Sequence, residues 1–501
     1  MLHWQMITVR PAKESEKDMQ FIRNWIKDAR KAPDDRYVAI CDGIRVLAIF
    51  MVTWFHIWQQ SWLYPVVNLF GTRISLDPLV RSGYMHVDIM ILLSGFCLYL
   101  PCTRLRPDEP FSIRNFYWKR LVRIVPSYYL TILIMLIVAL ARGLYDRSYV
   151  TLPKDLGLHL IFAHMFRMET YYYTNLNAAL WTLALEMQLY LVFPLLVALM
   201  RRRPFLTAGV ITLLCTLFRV WLSRALFDIK PYFNQFPAYL DIFVLGMLTA
   251  FLYSRIRTLP HHPIARVLCS LGAVFSLAVI IRLAVLQSEM GNAGMIEQGQ
   301  LLHRLPMALA GMALILLAGN AGWLIRHLLG NPVTRFFSGI SMHIYIWNQV
   351  LAVWIRELRI VPSEYPNPNY QGDLVWQQRY TFVCFAAAIA AGILFTYGFE
   401  RPVARLLLKG FPGKKAKDRT PGAETVPETA GLAAVNAESV PETPGHDAAN
   451  AEPVPETSGH AAENAETVPE MPGHDAANAK TVPETAETTA ENEQEKDDGN
   501  A

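Results

Sequence analysis

Apolar runs about as long as a bilayer is thick recur along most of this chain, at 44–60, 84–101, 125–141, 181–199, 205–223, 237–253, 266–286, 301–319, 336–355 and 380–398. A helix needs roughly 20 apolar residues to cross a hydrocarbon core, and inside lipid each backbone polar group must be satisfied within its own segment. The pattern therefore predicts an all-α fold, a polytopic transmembrane helical bundle of about ten spans, and excludes an ordinary soluble domain. More than half the residues are apolar and mean hydropathy is positive, as such a bundle requires. A weaker stretch, Leu156–Phe166, is too short to span and fits an interfacial or re-entrant helix.

Charge divides the chain into regions. Basic clusters fall on the arm at 1–40 (Arg23, Lys27, Arg30, Lys31, Arg36), at Arg104–Arg123, at Arg201–Arg203, at Arg255–Arg266, at Arg326–Arg335 and after Arg401, which is every second connection. Positive charge stays inside, so both termini are expected in the cytoplasm, with the first span running outward. The expected setting is a bacterial inner (cytoplasmic) membrane, and no cleavable signal is apparent ahead of the first span. After a membrane domain at 41–405 and a basic linker at 406–425, a 14-residue unit opening Val-Pro-Glu repeats from Val426, Val440, Val454, Val468 and Val482. Residues 421–501 carry a net −16 against +4 for the whole chain, so the preceding 420 residues carry +20. A tract of Pro, Glu, Ala, Thr and Asn cannot bury enough apolar surface to offset chain entropy, which predicts a disordered acidic tail at 426–501. The once-per-unit His446, His460 and His474 are too far apart on such a chain to suggest a metal site.

Chemistry enters with ionisable residues inside the spans. Arg45 and His56 lie eleven positions apart in the first span. Eleven helical steps return to within roughly 20° of the starting direction while rising about 16 Å, so both side chains face one way at different depths. A charge at the centre of a spanning helix costs on the order of 3 kcal/mol, which makes such a pair a candidate functional site. The alternative is an arginine snorkelling to the membrane surface beside a packed histidine. Arg120 and Arg123, three apart at the start of the third span, suit phosphate oxygens through their forked donors, or else anchor the loop to the inner surface. Glu186, several residues inside the fourth span, falls at a depth like that of His56; a carboxylate and an imidazole there can move a proton from a hydroxyl, unless Glu186 serves a buried arginine. Arg219, Asp241, Arg282, Arg304 and His343 are further intramembrane candidates, expected mostly to pair with one another. The six scattered cysteines lack metal spacing and read as packing residues.

In combination these segments resemble the acyltransferase-3 family of integral-membrane O-acyltransferases, over roughly 37–405. Arg45 and His56, preceded by Asp42-Gly43, match its Arg-x10-His signature. Gly83–Asp88 with Leu93-Ser94-Gly95-Phe96 resembles its second-span pattern, and Arg120, Arg123, Pro126 and Tyr128 match Arg-x-x-Arg-Ile-x-Pro-x-Tyr. Trp181-Thr182-Leu183 with Glu186 matches a Trp-Ser/Thr-Leu-x-x-Glu element; Phe243–Gly246, Ile340–Trp347 and Glu400-Arg401-Pro402 are weaker echoes. Two positions depart: His86 stands where a small residue is usual, and Asn348 near where a histidine is common. The tail also lacks the esterase-like domain that some relatives append. The resemblance implies transfer of an acyl group, usually acetyl, from cytoplasmic acyl-CoA to a hydroxyl of a cell-surface glycan or lipid-linked acceptor. It implies His56, Glu186 and Arg45 in catalysis, Arg120, Arg123 and Tyr128 toward the donor, no bound cofactor, and no nucleic-acid partner. The competing class is a proton-coupled transporter using His56 and Glu186 as a relay, although the matching half-repeats such a protein often shows are absent from the sequence.

Overall fold

The computed structural model describes residues 37–409 except 107, 226–227 and 257–261. The basic arm up to residue 36 and the repeat tail, with their predicted order or disorder, lie outside the described residues.

A helix occupies each of the ten predicted segments. They are α1 (Ile40–Ser61), α3 (His86–Tyr99), α4 (Ile113–Ala141), α7 (Trp181–Arg202), α8 (Pro204–Ser223), α9 (Leu240–Ile256), α10 (Pro263–Asn292), α11 (Ile296–Asn320), α13 (Pro332–Glu357) and α14 (Leu374–Phe395). Short helices intervene: α2 (Asp77–Arg81), α5 (Leu152–Leu160), α6 (Met168–Tyr172) and α12 (Trp323–Leu329), with α15 (Arg401–Lys409) ending the described chain. Among the described residues, eight helices are long and apolar enough to cross a membrane, counting α3 and α14 with their extensions. The other two are α9, which has 17 residues, and α13, which has 26 but carries many polar side chains. Apolar side chains on the bundle's outside, such as Leu268, Leu271, Val274 and Phe275 on α10, are exposed as lipid-facing positions must be.

Two boundaries differ from expectation in a way that matters. The third span was expected at 125–141, yet α4 begins at Ile113, twelve residues earlier, so Arg120 and Arg123 stand inside a helix and are buried. Their charge depresses hydropathy, but it is turned into the bundle and not toward lipid. α14 continues through a π-helical turn, Thr396–Glu400, into α15. A hairpin that hydropathy does not announce, β1 (Val66–Leu69) with β2 (Thr72–Ser75), follows α1 and turns through Phe70 and Gly71, both at positive φ.

The weak stretch after α4 folds back along it. Tyr128 donates to the carbonyl of His159 at 2.8 Å and Tyr129 to that of Leu160 at 2.8 Å. Tyr128 lies thirteen residues before the Ala141 end of α4, about 20 Å at the helical rise. A chain that returns so far down a long helix has re-entrant geometry.

Close helix approach explains two glycine motifs. A Cβ on Gly95 would stand 2.0 Å from the Phe243 carbonyl oxygen, and one on Gly246 would stand 2.0 Å from that of Leu92. The Ser-Gly-Phe segment of α3 and the Phe243–Gly246 segment of α9 are thus two halves of one backbone contact. Small residues permit this where lipid offers no hydrophobic drive for helices to associate.

Candidate active site

The site is built between two parallel helices. On α13 the polar residues Ser338, Ser341, Tyr345 and Asn348 recur at three- and four-residue steps and make one face. Ser338 meets the Arg45 end of the α1 face, and Asn348 meets His56. Arg356 continues the register by donating to Gln60 at 3.0 Å.

Arg45 does not snorkel. It is fully buried, donates from Nη1 to Ser338 Oγ at 2.9 Å, and lies 3.9 Å from Asp42 Oδ1; Ser338 Oγ in turn donates to Asp42 at 2.7 Å. A buried guanidinium needs such a carboxylate and hydroxyl to offset its desolvation. Gly43 allows this turn to press against the backbone of Leu329, which a Cβ would meet at 2.3 Å.

His56, also buried, has Nδ1 2.5 Å from Asn348 Oδ1. The Asn348 amide nitrogen donates to the Tyr345 carbonyl at 2.9 Å. Tyr345 is fixed by its hydroxyl, which donates to Ala179 O at 2.6 Å and accepts from Thr182 at 3.0 Å. Asn177 donates to the Ile346 carbonyl at 2.8 Å, so the start of α7 is tied to the same turn of α13.

Glu186 lies one turn beyond Thr182 on α7. Its Oε1 accepts from Ser94 on α3 at 3.0 Å. A series of contacts runs from His56 through Asn348 and Tyr345 to Thr182, one turn before Glu186. Glu186 is also within electrostatic reach of Arg120.

The arginines of the third span point into this half of the bundle. The Arg120 guanidinium lies 5.8 Å and 5.9 Å from the ring centres of Phe116 and Tyr190, and its Nε and Nη1 have no hydrogen-bond partner among the described residues. Arg123 is 3.8 Å from Glu400, and His343 is 3.4 Å from the same carboxylate and 3.3 Å from Ser127 Oγ. The π turn re-registers the chain so that Glu400 faces inward, and such turns recur at functional sites. Tyr128 is not at a mouth open to solvent: it is buried against the re-entrant segment, 3.4 Å from His164 Nδ1, and His164 stacks on His159 at 3.9 Å.

The weaker candidates separate. Arg219 and Asp241 form a buried two-bonded pair at 2.6 and 2.8 Å, and Arg304 lies 3.6 Å from Asp88 while donating to Phe233 O and Asn234. Arg219–Asp241 is a pairing of the kind expected, whereas Arg304 finds its carboxylate in Asp88, outside the candidate set. Arg282 is a correction: it is exposed on α10 and pairs with Glu289 at 3.6 Å, so it lines no cavity. Sequence reasoning gave no part to Ser338 or Tyr190 and named Ser94 only within a motif. The three- and four-residue spacing of the α13 polar face was the readable signal for Ser338, whereas a single polar residue such as Tyr190 carries none.

Comparison with known proteins accords with this arrangement. The family model described as an acyltransferase domain matches residues 38–401. A Staphylococcus aureus (strain COL) protein provisionally named an O-acetyltransferase is 21% identical over 347 residues, covering 65% of this chain and 52% of that protein. The peptidoglycan O-acetyltransferase OatA of Listeria monocytogenes is 23% identical over 166 residues, 32% of this chain and 24% of its own length. Nodulation protein 10 of Rhizobium leguminosarum bv. viciae is 27% identical over 233 residues, 43% of this chain and 60% of that protein. The chain thus spans about half the length of the S. aureus relative, and no solved structure matches it. With its acyltransferase domain running from the start of α1 to the first residue of α15, and with eight helices able to cross a bilayer, this multi-pass membrane protein belongs to the acyltransferase-3 family.

Proposed function

We propose that the protein is a membrane O-acetyltransferase that moves an acetyl group from cytoplasmic acetyl-CoA to a hydroxyl of a glycan or glycolipid at the cell surface. The observation that carries this reading is the Arg45–His56 face, buried at both ends and met at both ends by the polar face of α13, at Ser338 and Asn348. His56 takes the proton of the acceptor hydroxyl as general base, or carries the acyl group transiently, and Glu186 supports proton movement in the same half of the bundle. Arg120, with two uncommitted donors, and Arg123 receive the donor's phosphates, and Tyr128 shapes the donor channel beside the re-entrant segment. Arg45 and its Asp42–Ser338 partners hold α1 in register. Membership of an acyltransferase family favours transfer over transport, and relatives named as O-acetyltransferases favour acetyl.

Helix direction supports ten crossings. α1 and α13 run parallel, because Arg45, His56 and Gln60 meet Ser338, Asn348 and Arg356 in the same order. Parallel helices in one chain are separated by an odd number of crossings, and α3, α4, α7, α8, α9, α10 and α11 give seven only if α9 crosses. Ten crossings with the basic loops inside support a protein with both termini in the cytoplasm, and bacterial relatives support an inner-membrane setting.

The test is His56→Ala in purified protein with labelled acetyl-CoA and a lipid-linked or oligosaccharide acceptor. Loss of a positioned base typically costs about 100-fold or more in rate, so acylation is expected to vanish while the protein inserts at normal levels. Full acylation by that variant would remove His56 from the reaction.

A further inference from the structure

Asn348 occupies a position where a role for this chain is not given by its motifs, and its hydrogen bonds define one. Its amide nitrogen is committed to the Tyr345 carbonyl at 2.9 Å, so the atom turned to His56 is the amide oxygen. An amide oxygen only accepts. The hydrogen of neutral His56 is therefore on Nδ1, and the ring's lone pair is on Nε2. Both side chains are about 1% exposed, which leaves little room for water to offer the ring another partner at Nδ1. The amide cannot turn over without losing the Tyr345 bond and setting its oxygen against the Tyr345 carbonyl oxygen. Tyr345 is itself clamped by Ala179 and Thr182, so the orientation of His56 is set from the start of α7 through a rigid turn of α13.

We propose that Asn348 is a positioning residue that fixes the tautomer and ring plane of His56 and presents Nε2 as the proton acceptor. This rests on the reading of His56 as the base given above. A neutral amide aligns the ring without adding a second charge that would hold the imidazolium, so His56 can give its proton up after each transfer. Ionisable groups on the elements packed against α1 have partners of their own. His86 is 3.0 Å from Gly83 O, Asp88 pairs with Arg304, Asp77 with Arg81, and His303 with Gln287. On α13, His343 meets Ser127 and Arg356 meets Gln60, and Glu186 on α7 accepts from Ser94. On α12 lie Arg326 and His327, and on α14 the exposed Arg379.

The experiment compares wild type, Asn348→Leu, Asn348→Asp and His56→Ala as detergent-solubilised full chains, measuring kcat, KM for acetyl-CoA and the pH dependence of kcat. Asn348→Leu is expected to lower kcat about 10- to 100-fold, the scale seen when a metal-bound histidine loses the partner that orients it, with KM for the donor within about twofold. Asn348→Asp restores the acceptor at Nδ1 and adds a negative charge, so it should recover much of that kcat. Its acid limb should move to higher pH by about one unit or more, since an adjacent carboxylate favours the protonated ring. The position of that limb does not depend on how much protein folds. Wild-type kcat in Asn348→Leu overturns the proposal. So does a fall in Asn348→Leu with no recovery and no shifted limb in Asn348→Asp, because a purely structural role predicts that result. Activity retained in His56→Ala would instead sink the assignment of the base, whereas inactive His56→Ala with an unaltered Asn348 series sinks the positioning role alone.

Discussion

Arg120 is a buried cation whose hydrogen bonding the fold leaves incomplete, and that has a measurable consequence. Two of its donor atoms face no acceptor among the described residues while the guanidinium rests near two aromatic rings. A phosphate would satisfy those donors bidentately, and each hydrogen bond to a charged group contributes about 1.5–3 kcal/mol. Arg120→Lys keeps the charge but not the fork, so the KM for acetyl-CoA should rise tenfold or more while insertion and orientation stay unchanged. Donor titration of the purified variant is the check, and an unaltered KM would leave Arg120 as a loop anchor only. At this scale the sequence was readable where a residue had to be ionisable inside lipid. Arg45, His56 and Glu186 stood out on cost, while Arg120 and Arg123, ahead of the expected third span, stood out by their paired spacing; each of the five is buried. What cost could not show was pairing. The common depth expected of His56 and Glu186 did not name Asn348 or Ser94 as their hydrogen-bond partners, since depth along two helices says nothing about the angle at which each side chain leaves its axis.

At the scale of elements, packing depends on where backbones come close. Replacing Gly95 by Ala adds a methyl group 2.0 Å from the Phe243 carbonyl oxygen, and no rotamer can move a Cβ. Helix propensity favours Ala over Gly by about 1 kcal/mol, but overpacking a tight contact costs about 1–3 kcal/mol and forces α3 from α9. The expected result is a lower unfolding temperature in detergent and weaker activity, because Ser94, the partner of Glu186, is the adjacent residue. An unchanged midpoint would mean the two helices separate freely. The existence of these helices was legible, as lipid forces apolar runs of fixed length. Their ends were less so: α4 starts twelve residues early because inward-facing arginines look, in a hydropathy window, like a loop. α13 is the converse case, a helix whose polar face lowers its hydropathy and yet announces, at steps of three and four, the surface that meets α1. Glu400 was visible only as a weak motif, since the π turn that aims it inward leaves no periodic mark.

For the whole molecule, the question is how the membrane body and the acidic repeat divide the work. Every residue assigned a role here lies between Asp42 and Glu400, and the family match ends at residue 401. Beyond Arg419 the sequence carries a net −16 over residues 421–501 and few large apolar side chains, so it offers little for a bundle surface to bury. Residues 1–420 carry +20, and the acetyl-CoA proposed as donor is an anion that basic loops would attract. A tail of opposite charge on the same side would compete with that approach if it bound there, and removing it would then lower the donor's KM, most clearly at low salt, where such attraction is least screened. Truncation after Lys417 separates the cases. Without such competition, kcat and KM at matched protein levels should stay within about twofold of the full chain, and any loss should appear in abundance or recruitment. A salt-sensitive fall in KM with kcat unchanged would assign the repeat to electrostatic control of donor access. A tenfold fall in kcat would show that the repeat takes part in acyl transfer itself, against the division between body and tail argued from the sequence.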